Sequence, residues 1–300
     1  MTDYGHDLVF GTMLEPEGDR ALGVVELAEL TERVGLDMVS LSDHPYWPER
    51  LDTMTLLSVI AARTSRVRLL TNLANLPLRP PPILARTAAT LDLVSNGRFE
   101  LGLATGAQQM WHLISAEGGP RRSAGESVEA LEEAVRIIRA LWTSGDDLCF
   151  EGKHYHLDGA RRGPVPAHDI DIWLGAYQPR MLRLIGGIAD GWVPSSPFLP
   201  PEHLPAANQI IDEAAAEAGR SPRAVRRIYN IGGSFDAAGT GFLQGPAKMW
   251  AEQLTELTLT QGMSVYLLYR ADSADFIRRF GEEVAPAVRA MVATERARHS

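Results

Sequence analysis

The sequence contains very little cysteine and no long hydrophobic run. Cys149 is the only cysteine among 300 residues, so an intrachain disulfide and a thiolate metal cluster are both excluded, which suits a reducing compartment. No stretch approaches the roughly 18 apolar residues of a membrane-spanning helix, and the first ten residues lack the basic segment of a secretory signal. These absences predict a soluble cytoplasmic protein with no membrane partner.

Positive charge is also scarce. The formal net charge of -9 and the pI near 5.4 provide no electrostatic reason to expect nucleic acid as a partner. Lys153 and Lys248 are the only lysines, and the other basic residues are arginine, as GC-rich coding tends to produce. His154 and His156 alternate on a predicted strand without a third ligand, so no metal site is expected. Phosphate-binding P-loop, paired dinucleotide and G-x-S-x-G motifs are absent.

Short apolar runs alternate with amphipathic segments, which is the pattern of βα units around a parallel sheet. The predicted strands are Leu8–Met13, Met38–Ser42, Val67–Thr71, Arg98–Ala104, Asp171–Leu174, Gly191–Pro194, Ala224–Ile231 and Ser264–Tyr269. The predicted helices are Arg20–Val34, Asp52–Arg63, Pro81–Ser95, Glu126–Trp142, Pro179–Ile188, Glu202–Ala218, Gly245–Thr260 and Ala274–Thr294. Eight such units predict one (β/α)8 TIM barrel domain over residues 1–300, with a β-hairpin insertion between Ser144 and Asp169.

The most diagnostic segment runs from Val67 to Gly106 and reads VRLLTNLANLPLRPPPILARTAATLDLVSNGRFELGLATG. It resembles the luciferase-like monooxygenase superfamily, whose members share a strand, an (R)xPxxLA helix, an ATLDxxSxGR turn and an LGxGxG strand end. The residues that carry the resemblance are Arg79, Pro82, Leu84, Ala85, Ala89, Thr90, Leu91, Asp92, Ser95, Gly97, Arg98, Gly102 and Gly106. The resemblance implies an enzyme that binds a flavin or the deazaflavin coenzyme F420 at the C-terminal mouth of the barrel.

The loop after the second strand contains Asp43, His44 and Trp47. A histidine beside the reactive ring can donate or accept a proton near neutral pH, and a tryptophan offers a flat wall against it. This Asp-His pair resembles the motif that faces the reactive ring edge in the F420-dependent branch. We therefore expect His44 and Trp47 to be catalytic, and Asp43 to orient His44 or to cap the following segment while lying at the cofactor site.

The third and fourth strands end in further candidate cofactor-binding residues. By resemblance, a nonprolyl cis peptide falls at Asn72-Leu73 and forms a bulge that supports the ring. Asn72 and Asn75 would then offer donors to the ring carbonyls, although Asn75 fits an ordinary turn equally well. The small residues Gly106 and Ala107 would let the backbone approach the cofactor. In the sugar-phosphate dehydrogenase branch the position aligned with Ala107 is an acidic glutamate, which argues against glucose-6-phosphate dehydrogenase activity here.

The loop after the fifth strand leads directly into a helix and is a candidate phosphate site. It consists of Gly175, Ala176, Tyr177 and Gln178. Free N–H groups at a helix N-terminus bind anions, and the resemblance assigns the cofactor phosphate to this loop. The following Asp190-Gly191-Trp192 fits a packing and turn element better than a catalytic one.

These features predict an F420-dependent oxidoreductase that transfers a hydride between the deazaflavin and a small organic substrate. Two alternatives stay open: an FMN-dependent two-component monooxygenase served by a separate flavin reductase, and a cofactor-free binding or structural barrel. The Asp-His pair and the arginine-rich composition favour F420 over FMN. Apolar helices at Asp52–Arg63 and Pro81–Ser95 predict a homodimer. Further residues that could shape a substrate pocket are Trp111, His112, Tyr229, Asn230, Tyr269 and Arg270.

Overall fold

Eight parallel strands close into a barrel, as the alternating pattern predicts. The computed structural model describes residues 2–235, 239–269, 271 and 273–299, without the side chains of residues 108 and 299. The strands are β1 Val9–Leu14, β2 Met38–Leu41, β3 Arg68–Thr71, β4 Ala74–Asn75, β5 Phe99–Ala104, β6 Leu148–Glu151, β7 His156–Ala160, β8 Ile172–Leu174, β9 Gly191–Trp192, β10 Arg226–Ile231 and β11 Val265–Tyr269. The ring order is β1, β2, β3, β5, β8, β9, β10 and β11, and β11 pairs with β1 to close it.

Helices connect the barrel strands and cover the outside of the barrel. They are α1 Ala21–Arg33, α2 Thr53–Arg63, α3 Pro81–Val94, α4 Trp111–Ala116, α5 Ala124–Leu141, α6 Pro179–Ile188, α7 Leu204–Glu217, α8 Ala247–Gln261, α9 Ala274–Arg279 and α10 Ala285–His299. We call the C-terminal ends of the barrel strands the mouth and their N-terminal ends the base. None of the helices described is long and apolar enough to cross a lipid bilayer.

Two separate apolar layers hold the barrel. One fills its interior and consists of Met38, Leu70, Trp173, Val193, Ile228, Val265 and Leu267. The other, larger layer lies between the sheet and the surrounding helices. The interior layer makes the barrel a packed core instead of a pore, so chemistry is confined to the mouth above it.

Four details differ from the sequence-based expectations or sharpen them. The predicted hairpin is confirmed as β6 paired antiparallel with β7. The predicted last helix is divided by a π-helical turn at Phe280–Val284, where Gly281 passes so close to Val34 that a Cβ would lie 2.6 Å from its Cγ2. The fourth predicted helix begins two residues earlier, because Ser123 and Glu126 form a reciprocal capping box. The short helix α4 was not expected, since six residues are too few for a readable period.

Candidate active site

A polar layer lies directly above the apolar interior at the mouth. Asn72 Nδ2 donates to Asn230 Oδ1 at 2.8 Å, and Asn230 Nδ2 donates back to Asn72 Oδ1 at 3.2 Å. Asn72 Nδ2 also donates to Ser40 Oγ at 3.3 Å, while Asn230 Nδ2 reaches Ser195 Oγ at 3.0 Å. Both N–H groups of Asn72 therefore have partners within the chain. Asn72 supports the floor of the mouth, and its amide has no N–H left to donate to a ring carbonyl.

The third strand is interrupted by a bulge between β3 and β4. The peptide bond joining Asn72 and Leu73 is cis, as the family resemblance implies. The Leu73 side chain lies against two glycines: an added Cβ would be 2.3 Å from Leu73 Cδ1 at Gly175 and 2.7 Å from Leu73 Cδ2 at Gly102. Any larger residue at either position would displace Leu73. The glycine at 175 is thus needed for packing against the bulge, in addition to any part in binding a phosphate.

His44 lies in an aromatic cluster at the end of β2. Its ring centroid is 4.6 Å from that of Trp47, and its Nδ1 lies 2.8 Å from the Tyr46 hydroxyl. Burial lowers the pKa of His44, and the nearby Glu15 and Asp43 carboxylates offset only part of that effect. The imidazole is consequently neutral near pH 7 and can exchange a proton through Nε2.

Asp43 is a positioning residue in this geometry. Its buried carboxylate accepts from Arg79 Nε and Arg79 Nη2, each at 2.7 Å, and from the backbone N–H of Asn75 at 2.8 Å. Arg79 Nη2 also donates to Asp52, the residue that caps α2, at 2.7 Å. This Asp43 cluster ties the loop after β2 to the start of α3. His44 is held by Tyr46, and among the residues described no hydrogen bond joins its ring to the Asp43 carboxylate.

Asn75 presents a buried acceptor without a donor. Its Oδ1 has no hydrogen-bond partner among the residues described. Gly106 lies beside it with φ at 81°, and an added Cβ there would be 3.5 Å from that oxygen and 2.8 Å from Ile114 Cδ1. A buried acceptor beside a backbone with no side chain fits a flat ring that carries an N–H, as the pyrimidine part of a flavin or deazaflavin does. Ala107, the next residue, is exposed.

The predicted phosphate loop is held from below. The indole Nε1 of Trp192 donates to the carbonyl of Ala176 at 3.0 Å, which confirms a packing role for the Asp190-Gly191-Trp192 segment. Tyr177 and Gln178 are exposed, and Gln178 precedes α6 without capping it through its side chain. Pro179 at the first position of α6 has no N–H, so the donors available to an anion at this helix end begin with the backbone N–H of Arg180.

A groove of about 1100 Å³ runs from His44 along the outside of the barrel between α1 and α9, where Leu27 and Arg33 of α1 and Arg278 of α9 line it. Its walls include Trp47, Phe198 and the ion pair between Glu15 and Arg50, whose Oε2 and Nη1 atoms are 2.8 Å apart. Neither Asn75 nor Gly106 lines this groove. The groove therefore meets the predicted ring site at the neighbouring residues Asp43 and His44, and only this end of the groove lies at the mouth.

Comparison with known proteins identifies the family. A model described as luciferase-like monooxygenase matches residues 8–236. The chain belongs to the luciferase-like monooxygenase family.

Relatives within this family include both dehydrogenases and monooxygenases. The F420-dependent glucose-6-phosphate dehydrogenase of Nocardia farcinica is 30% identical over 264 residues, which cover 84% of this chain and 77% of the relative. Pyrimidine monooxygenase RutA of Variovorax paradoxus is 32% identical over 155 residues, which cover 49% of this chain and 41% of the relative. A solved F420-dependent secondary alcohol dehydrogenase in complex with an F420-acetone adduct has a TM-score of 0.83 at 19% identity, covering 94% of this chain and 99% of that chain.

Several residues of this luciferase-like site were missed or placed differently from the sequence. Tyr46, Arg50 and Ser195 were not singled out, and Asn230 belongs to the floor instead of the rim. Tyr229 is fully buried and donates to the Leu199 carbonyl at 2.6 Å, so it is part of the core. Arg270 lies outside the residues described. Only the strand-end position could have indicated Tyr46 and Asn230, because nothing in their local sequence marks their partners.

Proposed function

We propose that this chain is an F420-dependent oxidoreductase that moves a hydride between deazaflavin and an organic substrate at the barrel mouth. The observation that carries the proposal is the half-buried His44, whose imidazole is neutral near pH 7 and lies between the cradle formed by Asn75 and Gly106 and the end of the groove lined by Trp47 and Phe198. Hydride transfer to or from an oxygen-bearing carbon needs a proton donor or acceptor at that oxygen. The names of relatives that use F420 support the same reading.

Each residue at the mouth has a distinct part in this proposal. The deazaflavin, when bound, supplies or accepts the hydride. Asn75 Oδ1 accepts a ring N–H, and Leu73 supports the ring from the bulge. Gly106 and Ala107 leave room for the ring and its linker, while the loop from Gly175 to Gln178 and the start of α6 hold the phosphate. Trp47 shields the reacting centre from water, and His44 Nε2 exchanges the proton with substrate.

Titration of the purified protein with F420 and, separately, with FMN tests the cofactor assignment. Following the fluorescence of each ring during the titration yields both dissociation constants. We expect F420 to bind at least ~tenfold more tightly than FMN, a difference of about 1.4 kcal/mol. Preferential binding of reduced FMN would support the two-component monooxygenase, for which a flavin reductase is the required partner. Binding of neither would support the cofactor-free barrel.

Replacement of His44 tests the proton-exchange role. His44→Ala should lower turnover at least ~tenfold, and up to ~1000-fold, because general acid–base groups contribute at this scale. The dissociation constant for F420 should change less than ~threefold, since the cradle at Asn75 and Gly106 is intact. Unchanged turnover would mean that another group carries the proton. His156→Ala is the matched control, because it removes an exposed imidazole that has no part in the proposal.

We further propose a homodimer formed through α2 and α3. Four apolar side chains on these helices are exposed: Val59 at 45%, Ile83 at 61%, Leu93 at 45% and Val94 at 67%. Exposed apolar side chains on neighbouring helices are a feature of interfaces, and these four lie on two helices that follow each other around the barrel. Light scattering should show a mass near twice 32.8 kDa. Val94→Asp should then yield a monomer, whereas a monomeric unchanged protein would remove the proposal.

A further inference from the structure

A second, smaller cavity lies at the mouth between α4 and the start of α5. It has a volume of about 290 Å³ and is lined by Trp111, His112, Arg121, Arg122 and Ser123. It is separate from the His44 groove and belongs to the loop that follows β5. No residue of this cavity has a part in the hydride-transfer proposal.

The cavity contains two neighbouring cations, and the one carboxylate bonded to its lining in the described part of the chain is that of Glu126, which accepts from Ser123 at 2.8 Å as part of the α5 cap. Arg121 Nε donates to Ser115 Oγ at 3.2 Å, and Arg122 Nη1 donates to the Tyr155 hydroxyl at 3.3 Å. The Arg122 guanidinium also lies 5.1 Å from the centroid of the Tyr155 ring. Among the residues described, neither arginine has a carboxylate within ion-pair distance. In a chain of net charge -9, two adjacent cations facing a cavity indicate an anionic ligand.

Trp111 supplies an independent indication of an acceptor. Its indole Nε1 is buried and has no hydrogen-bond partner in the part of the chain that the structure describes. An indole nitrogen can only donate, and a buried donor without a partner costs free energy. Because Trp111 lines the cavity, a ligand oxygen placed against its indole edge would satisfy this nitrogen together with the spare N–H groups of the two arginines.

The cavity adjoins the proposed phosphate loop. Arg180, in the first turn of α6, extends so close to Gly125 that an added Cβ there would lie 2.9 Å from its Nη1. Gly125 is two residues beyond Ser123, which lines the cavity. A chain leaving a phosphate at the start of α6 can therefore reach Arg121 and Arg122 along the surface of the mouth.

We infer that this cavity binds the carboxylates of the cofactor's anionic tail. The inference rests on the proposed function, because coenzyme F420 continues past its phosphate into a lactyl-oligoglutamate chain, whereas FMN ends at its phosphate. Bidentate pairing with arginine is a geometry that carboxylates favour, and the Trp111 N–H provides a further directed donor. The site thus distinguishes the two cofactors by their tails.

Binding of tailed and tail-free deazaflavin tests this inference. We would measure dissociation constants for F420 with several glutamates and for the deazaflavin riboside that lacks phosphate and tail. The double variant Arg121→Gln, Arg122→Gln should weaken binding of the tailed form about tenfold and leave the riboside within about twofold. Trp111→Phe, which keeps the ring and removes the donor, should weaken only the tailed form, by about threefold. Arg136→Gln is the matched control, because Arg136 is paired with Glu132 away from the cavity.

The possible outcomes separate the two proposals. Equal losses for the tailed form and the riboside in the variants would overturn the tail site. No binding of either form to the unaltered protein would instead overturn the proposed function. A competition arm identifies the anion: displacement of tailed F420 by free oligoglutamate supports the inference, and displacement by inorganic phosphate alone overturns it.

Discussion

The base and the mouth of the barrel both contain buried carboxylates, but they use them differently. At the base, Asp92 accepts from the backbone N–H of His168 at 3.1 Å and lies 2.8 Å from its Nδ1. The other ring nitrogen of His168 lies 3.1 Å from Glu100, which also contacts Arg68 and accepts from the Asp171 N–H at 2.6 Å. In this Asp92 cluster, the buried side-chain polar atoms are all paired within the chain.

The Asp43 cluster at the mouth is paired internally too, yet it borders atoms that are not. Asp43 accepts from Arg79 and from the Asn75 N–H, while Asn75 Oδ1 and Trp111 Nε1, at the start of α4, lack partners among the residues described. A closed set of polar groups stabilises a fold, whereas buried polar atoms without partners point to a ligand. The comparison therefore assigns the Asp92 cluster to stability and the Asn75 region of the mouth to binding, which matches the usual division in this architecture. Elsewhere at the base, His6 Nδ1 and Arg226 Nε also lack partners among the residues described.

The largest expected effect is on stability, at the base. Asp92→Ala should lower the free energy of unfolding by about 3–5 kcal/mol, because it removes the shared acceptor of the His168 ring and of the backbone N–H groups of Phe99, Ala167 and His168. Chemical denaturation monitored by circular dichroism measures the change. Below the unfolding transition, the dissociation constant for F420 should stay within about twofold of the unaltered protein, since the mouth is not touched.

Asp169→Ala is the matched control for this variant. Asp169 is exposed and lies one residue from His168, so its loss should change the stability by less than about 0.5 kcal/mol. A stable Asp92→Ala protein, or one that is folded but no longer binds cofactor, would break the division between base and mouth.

The second prediction concerns a variant that should lower both the stability of the fold and the affinity for F420. Asp43→Asn replaces one carboxylate oxygen with an NH2 group. That group then faces either Arg79 or the Asn75 N–H, so two donors meet in a buried site. We expect a loss of about 1–3 kcal/mol in stability and about a tenfold weaker F420 affinity, because the Asn75 loop is no longer held. Denaturation and fluorescence titration of one preparation measure the two effects.

Asp52→Asn is the control for this variant, because Arg79 pairs with the half-exposed Asp52 as well as with the buried Asp43. Asparagine caps a helix as well as aspartate does, so α2 keeps its cap while the half-exposed charge is removed. Both stability and affinity should change by less than about 1 kcal/mol. If the two variants behave alike, the burial of Asp43 has no special consequence and the comparison loses its basis.

Local sequence patterns predicted the barrel well because each strand and helix is specified by residues within its own segment. Each βα unit has its own apolar period, and signals such as Pro81 and Asn96-Gly97 mark the two ends of α3, where Asn96 has φ at 59° and Gly97 at 78°. The hairpin was likewise readable from its own residues. The pair Ser123 and Glu126 is also a local signal, because a serine followed three residues later by a glutamate marks the start of a helix, here α5.

The pairings that build the site could not be read in this way. Asn72 and Asn230 are 158 positions apart, and Asp43 and Arg79 are 36 apart. Barrel closure brings each pair together, and nothing in either local segment identifies the other. The family resemblance implied the cis bulge at Asn72-Leu73, which the structure confirms. Neither role expected for Asp43 is observed, because His44 Nδ1 contacts Tyr46 and the cap of α2 is Asp52.

The smallest predicted effect concerns the Tyr46 hydroxyl. It tests whether residues at the mouth adjust the pKa of His44 in addition to leaving space for ligands. Tyr46 is buried, and its hydroxyl can accept from Nδ1–H of a charged imidazole or donate to Nδ1 of a neutral one. Burial already lowers the pKa of His44 below its ordinary value of about 6.5. In the reaction direction that needs a base, turnover should therefore fall only below that pH, on the acid limb of its pH profile.

Tyr46→Phe removes the hydrogen-bond acceptor for the charged imidazole, and hydrogen bonds to charged groups are stronger than those between neutral groups. The pKa of His44 should therefore fall further, the acid limb should move to lower pH, and the plateau should drop about threefold as the ring loses its orientation. A purely structural loss would lower the plateau without moving the limb, and a limb that moved to higher pH would show that Tyr46 acts on His44 mainly as a donor.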